Sequence, residues 1–164
     1  MDLFLIRHAE AQDGSLYAGD HLRPLTGDGR RAARSVGEAL KKAEVSLAQV
    51  VSSPYVRAVE TAELIMVGLG FDEALLCSPS LEPGGSPAEV LSQVIATHWD
   101  SPSLALVGHE PLMGALLSVL LQRRGLSLGK GTAVRLKLDH PDQPAQLTWT
   151  IKPRRLTPSP SLDL

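Results

Sequence analysis

The sequence predicts an α/β fold, a three-layer sandwich around a mostly parallel central sheet with an antiparallel hairpin at its C-terminal edge. Short, wholly apolar runs (residues 3–6, 50–51 and 104–107) alternate with segments whose apolar positions recur at helical spacing, the pattern of strands buried on both faces between covering helices. Near the C-terminus two stretches of alternating apolarity, Ala133 to Leu138 and Gln146 to Ile151, flank the turn-rich residues 139–144 and read as a hairpin.

The elements follow in order. Leu3 to Ile6 is the first strand and ends in Arg7 and His8. Thr26-Gly27-Asp28-Gly29 opens a helix over about Asp28 to Lys42, with Ala32, Ala33, Val36, Ala39 and Leu40 on its apolar face. Val50-Val51 is the second strand; Pro54 suits the first turn of the next helix, which Ala58, Ala62, Ile65 and Met66 carry to about Gly68. Leu75 to Cys77 is a short third strand, followed by a loop over residues 78–85. Ser86 as N-cap, Pro87 and Glu89 then start a helix bearing Val90, Leu91, Val94 and Ile95. Leu104 to Val107 is the fourth strand, and Pro111 opens an apolar helix to about Leu121. A single domain is expected over residues 1–156. Residues 157–164, rich in Pro and Ser, read as a tail with little role in the chemistry.

The chain has 164 residues and a formal net charge of −2, so its overall balance draws it neither to nucleic acid nor to anionic membranes. Any anion site must be local. Cys77 is the sole cysteine, which excludes an internal disulfide framework and supplies no clustered zinc ligands; it is expected in the core. Arg7 and His8 come too early for a signal peptide, and no apolar run is long enough to span a bilayer, so a cytoplasmic location is expected.

In an open α/β sheet, ligands collect outside the carboxyl ends of the parallel strands. At those ends stand Arg7 and His8 after the first strand, Ser52, Ser53 and Arg57 after the second, and His109 and Glu110 after the fourth. Two Arg and two His thus converge from three separate segments. Arginine offers paired donors to phosphate oxygens, and a neutral imidazole can attack phosphorus. His8 is the better nucleophile candidate because it follows its strand directly beside an arginine; spacing alone leaves open which histidine does which. No acidic or Cys/His cluster suggests that a metal ion neutralises the phosphoryl charge, and no cofactor is expected.

Leu5-Ile6-Arg7-His8-Ala9-Glu10 resembles the signature of the histidine phosphatase superfamily, which includes the cofactor-dependent phosphoglycerate mutases. Arg23-Pro24-Leu25-Thr26, Ser53-Pro54-Tyr55-Val56-Arg57-Ala58 with Thr61-Ala62, and Val107-Gly108-His109-Glu110-Pro111 resemble three further family motifs, in the same order. The resemblance implies a phosphoglycerate mutase-like fold, a nucleophilic His8, a phosphate pocket of Arg7, Arg57 and His109, and a phosphohistidine intermediate hydrolysed by water. Short length and the Arg23 motif resemble the small SixA-like branch of phosphohistidine phosphatases. That implies a phosphorylated substrate, such as a phosphohistidine-bearing signalling protein. Larger relatives carry an acid after the third strand, which makes Glu82 the candidate proton donor here.

Two other functions compete, a small-molecule phosphomonoesterase or mutase and a non-catalytic phosphate-binding module; the intact His8 argues against the latter. Ser52 and Ser53 read as helix-capping residues, because no Gly-flanked serine elbow surrounds them. Arg23 is either a substrate contact or a surface ion pair. His21, His98 and His140 read as exposed or structural.

Overall fold

Leu3 and Leu5 face one core and Phe4 and Ile6 the other, so strand β1 (Asp2–Arg7) is enclosed on both sides, as its unbroken apolar run predicts. The computed structural model describes residues 1–162. The further strands are β2 (Gln49–Ser52), β3 (Leu75–Cys77), β4 (Ser103–Gly108), β5 (Ala133–Lys137), β6 (Gln146–Lys152) and β7 (Arg155–Ser159). They form a seven-stranded sheet in the order β3-β2-β4-β1-β5-β6-β7. Strands β1 to β4 pair in parallel, whereas β5, β6 and β7 extend the sheet antiparallel beyond β1.

Helices α1 (Gly27–Lys42) and α2 (Val56–Leu69) cover one face. The short helix α3 (Pro87–Glu89), its continuation and α4 (Leu112–Leu120) cover the other. The three predicted layers are therefore present. Thr26 caps α1, its Oγ1 accepting from the Gly29 N–H at 2.9 Å. The two helices of the first layer approach closely where glycines meet: a Cβ on Gly37 would lie 2.3 Å from the Ile65 carbonyl oxygen, and one on Gly68 2.5 Å from that of Arg34. Among the described residues no helix is long and apolar enough to cross a membrane.

Four expectations need correction. Pro54 lies before α2 rather than in its first turn: Tyr55 is the N-cap, and Arg57 is the second helical residue. Pro111 likewise caps α4 from outside. The helix from Pro87 has the expected capping box, but it widens into a π-helical stretch over Val90–Ile95 and ends in a 3-10 turn, Ala96–His98. Cys77 is exposed, because the three-residue β3 lies at the sheet edge.

The segment read as a tail supplies Thr157 to Ser159 to β7. Its composition is compatible with this because β7 is an edge strand that pairs on one side only, where Pro158 is tolerated. Residues 163 and 164 lie outside the described part.

Candidate active site

The ladder between β1 and β4 sets Arg7 opposite Gly108, and the His8 N–H donates to the Gly108 carbonyl at 3.0 Å. His8 and His109 therefore leave adjacent strands side by side, with ring centroids 5.0 Å apart and planes inclined at 55°. On the other side of β4 the Ser53 N–H donates to the Val107 carbonyl at 2.9 Å, which brings the turn into α2 to the same edge. Arg57 then reaches back over the Tyr55 ring, its Cζ 5.0 Å from the centroid, and that ring meets His109 edge-on at 5.2 Å. The structure thus brings together all four predicted residues, Arg7, His8, Arg57 and His109.

His8 is buried, and its Nδ1 lies 2.7 Å from the Ala9 carbonyl oxygen. A carbonyl can only accept, so Nδ1 carries the proton and Nε2 keeps its lone pair. Among the described residues Nε2 has no hydrogen-bond partner, and it is not fully enclosed. Burial lowers the pKa of His8 to about 4, against a raising effect of the Ala9 bond, and the charges of Arg57, Arg7 and Lys130 lower it further. The loop after His8 is held by Thr61, whose hydroxyl donates to the Arg57 carbonyl at 2.6 Å and accepts from the Ala9 N–H at 3.1 Å.

His109 is tied through Nε2 to the Ser53 hydroxyl at 2.8 Å, and that oxygen also accepts from the Tyr55 N–H at 3.3 Å. With the Ser53 hydroxyl donating to Nε2, the imidazole proton sits on Nδ1. Among the described residues Nδ1 is buried without a partner, and so is Nε of Arg7. Two unpaired N–H donors at the ends of neighbouring strands β1 and β4 are what an oxygen-rich anion would satisfy. Burial first, then the positive environment of His8, Arg57 and Arg7, lowers the His109 pKa to about 3, against an opposing effect of Asp20.

Several contributors were invisible in the sequence reading. Arg7 Nη1 donates to the Leu128 carbonyl at 2.7 Å, while the Leu128 N–H donates to Glu110 Oε1 at 2.6 Å. Glu110, the neighbour of His109, thereby anchors the loop that orients Arg7. Asp20 holds Arg57: its Oδ2 accepts from Nη2 at 2.8 Å and its backbone oxygen from Nη1 at 2.7 Å. Only the adjacency of Glu110 to His109, and the position of Asp20 three residues before Arg23, offered any signal.

Arg23 pairs with Asp20 at 2.8 Å and donates to the Gln12 carbonyl at 2.9 Å. Glu82 follows the buried Leu81, whose carbonyl oxygen lies 3.4 Å from the position of a Cβ on Gly108; the Glu82 side chain makes no hydrogen bond or ion pair among the described residues. His21 is exposed, with its ring 6.2 Å from that of Tyr55. His98 bonds to the Val94 carbonyl at 2.8 Å, and His140 lies 3.8 Å from Asp142. Ser53, expected as a helix cap, instead braces His109, while Ser52 donates to the Ser53 carbonyl at 2.9 Å. Among the described residues no group of three or more His, Cys, Asp or Glu could hold a metal ion.

Residues 3–80 match the model of the histidine phosphatase superfamily, branch 1. The phosphohistidine phosphatase SixA of Escherichia coli (strain K12) is 31% identical over 121 residues, covering 73% of this chain and 74% of that protein. A structure of the protein histidine phosphatase SixA complexed with tungstate superposes with a TM-score of 0.86 at 27% identity, covering 96% of this chain and all (100%) of the other. SixA from Agrobacterium tumefaciens, also described as a phosphohistidine phosphatase, gives a TM-score of 0.79 at 20% identity over 92% of this chain and 96% of its own, a likeness of fold.

Proposed function

The chain belongs to the histidine phosphatase superfamily, and on that premise we propose that it is a phosphatase acting on phosphohistidine in proteins, with His8 as the nucleophile. The observation that carries this reading is the state of His8. Its proton is committed to the Ala9 carbonyl 2.7 Å away, which leaves Nε2 as a free lone pair beside two guanidinium groups. SixA, the relative named for this activity, supports the choice of substrate, and the tungstate held by a SixA structure supports a seat for a tetrahedral oxyanion.

Nε2 of His8 attacks phosphorus as the bond from phosphorus to the substrate imidazole breaks. The bonding pair goes to the departing ring nitrogen, which takes up a proton from solvent. Water then attacks the phosphorylated His8; cleavage of that bond restores Nε2 and releases hydrogen phosphate, and the water returns one proton to solvent. Arg7, Arg57 and the Nδ1–H of His109 neutralise the equatorial oxygens as charge shifts between the attacking and leaving atoms. An imidazole leaves with little help, whereas an alkoxide needs an acid, the role proposed for Glu82. Glu82→Gln should therefore slow hydrolysis of an alkyl phosphate and spare that of a phosphohistidine peptide. Equal, negligible losses would remove Glu82 from the mechanism.

Brief reaction with a radiolabelled phosphohistidine protein, followed by alkaline quench, should leave an alkali-stable label that maps to His8. Turnover without label on His8, or turnover at the parental rate by His8→Ala, would refute the assignment.

A further inference from the structure

Arg57 already holds an anion. Nη2 is 2.8 Å from Asp20 Oδ2 and Nη1 is 2.7 Å from the Asp20 carbonyl oxygen, so one loop residue engages both terminal nitrogens. The two partners differ in exposure: the Arg57 side chain is 6% exposed and that of Asp20 53%. The carboxylate can return to water at little cost, but the guanidinium cannot follow it. Asp20 Oδ1 also lies 2.8 Å from Arg23 Nη1, so release from Arg57 would not leave the carboxylate unpaired. Hydrogen bonding from Arg23, and then from Arg57, holds the Asp20 carboxyl below its usual pKa, which keeps it charged at neutral pH.

We infer that Asp20 is a resident competitor on Arg57, a carboxylate that every incoming oxyanion must displace and that therefore leaves net attraction only for a dianion, an inference that rests on the proposed reading of that seat. An incoming oxyanion takes over donors from the carboxylate. If it carries one negative charge, the charge facing Arg57 is unchanged by the exchange, and no Coulomb energy is gained. A second charge is new attraction in a partly buried site that Arg7 also makes positive. Phosphohistidine and phosphomonoesters, with dianionic phosphoryl groups, displace the carboxylate. Phosphodiesters and simple carboxylates do not.

Tungstate and perrhenate test this cleanly, because both are tetrahedral oxyanions of similar size and differ by one charge. Calorimetric titration at mildly alkaline pH should show that the parent protein prefers tungstate. In Asp20→Asn, which keeps the backbone contact and a neutral acceptor, both anions should bind about tenfold more tightly, because each is spared the same displacement. Asp20→Glu, which keeps the charge, should retain the parental affinities. Unchanged or weakened binding of both anions in Asp20→Asn would mean that Asp20 only orients Arg57 and would overturn the inference. Parental tungstate affinity in Arg57→Ala is a different failure: it would move the seat away from Arg57 and overturn the site reading beneath.

Discussion

His8 and His109 are both neutral at ordinary pH, but they offer opposite things to a phosphoryl group. One presents a lone pair because its proton is bonded to the Ala9 carbonyl; the other presents an N–H because the Ser53 hydroxyl occupies its second nitrogen. In the free protein the His8 ring should titrate with a midpoint near 4, far below the usual 6.5, and imidazole NMR shifts followed against pH would read this directly. A midpoint near 6.5 would show an imidazole that is neither buried nor flanked by cations. His8→Ala should abolish turnover while tungstate binding survives. Arg57→Ala should weaken tungstate binding by about thirtyfold, equivalent to about 2 kcal/mol for a lost charge-assisted donor, and calorimetry would measure it. At this scale the sequence was legible wherever a titratable side chain ends a strand, as Arg7, His8 and His109 do. It was silent where the partner is a backbone carbonyl, as at Ala9 and Leu128, since any residue type could supply that oxygen.

The elements place these side chains through short, close contacts. Gly29 lies in the first turn of α1, where a Cβ would come within 2.1 Å of the Glu10 carbonyl oxygen, so the helix start presses on the chain just beyond His8. Gly37 and Gly68 allow α1 and α2 to meet backbone to backbone, which fixes the helix that carries Arg57 against the one that follows His8. Gly37→Ala should destabilise the fold by about 1–3 kcal/mol through forced separation of the helices, lowering Tm by about 2–4 °C per kcal/mol in a melt followed by circular dichroism. Unchanged stability would mean that the helices part freely. Strands β1 to β6 and the helices were readable from period and caps, from the apolar run of β1 to the capping box at Ser86, whereas β7 was not, because its Pro- and Ser-rich sequence carries no period. The start of α2 was not, because a proline suits both a turn and a first helical position, and Ser53 was drawn to His109 rather than to the helix. The exposure of Cys77 was likewise hidden, since strand order, and hence which strand lies at the edge, is a property of tertiary pairing.

Over the whole molecule, the two buried imidazoles couple folding to acidity. An unfolded chain takes up a proton on each as pH falls through about 6.5, whereas the folded chain refuses it until about 4 for His8 and about 3 for His109. These groups therefore favour unfolding progressively as pH drops from about 6.5 towards 4. Urea denaturation across that range should show stability falling with pH, and the double variant His8→Phe/His109→Phe should lose part of that slope. The β7 strand has a consequence at this scale too. One end of the sheet finishes in a strand carrying Pro158, which lacks an amide hydrogen, and the other in the three residues of β3. Neither rim offers a long, regular row of donors and acceptors to a stray peptide, so crowded solutions of this protein should resist fibril growth by strand addition.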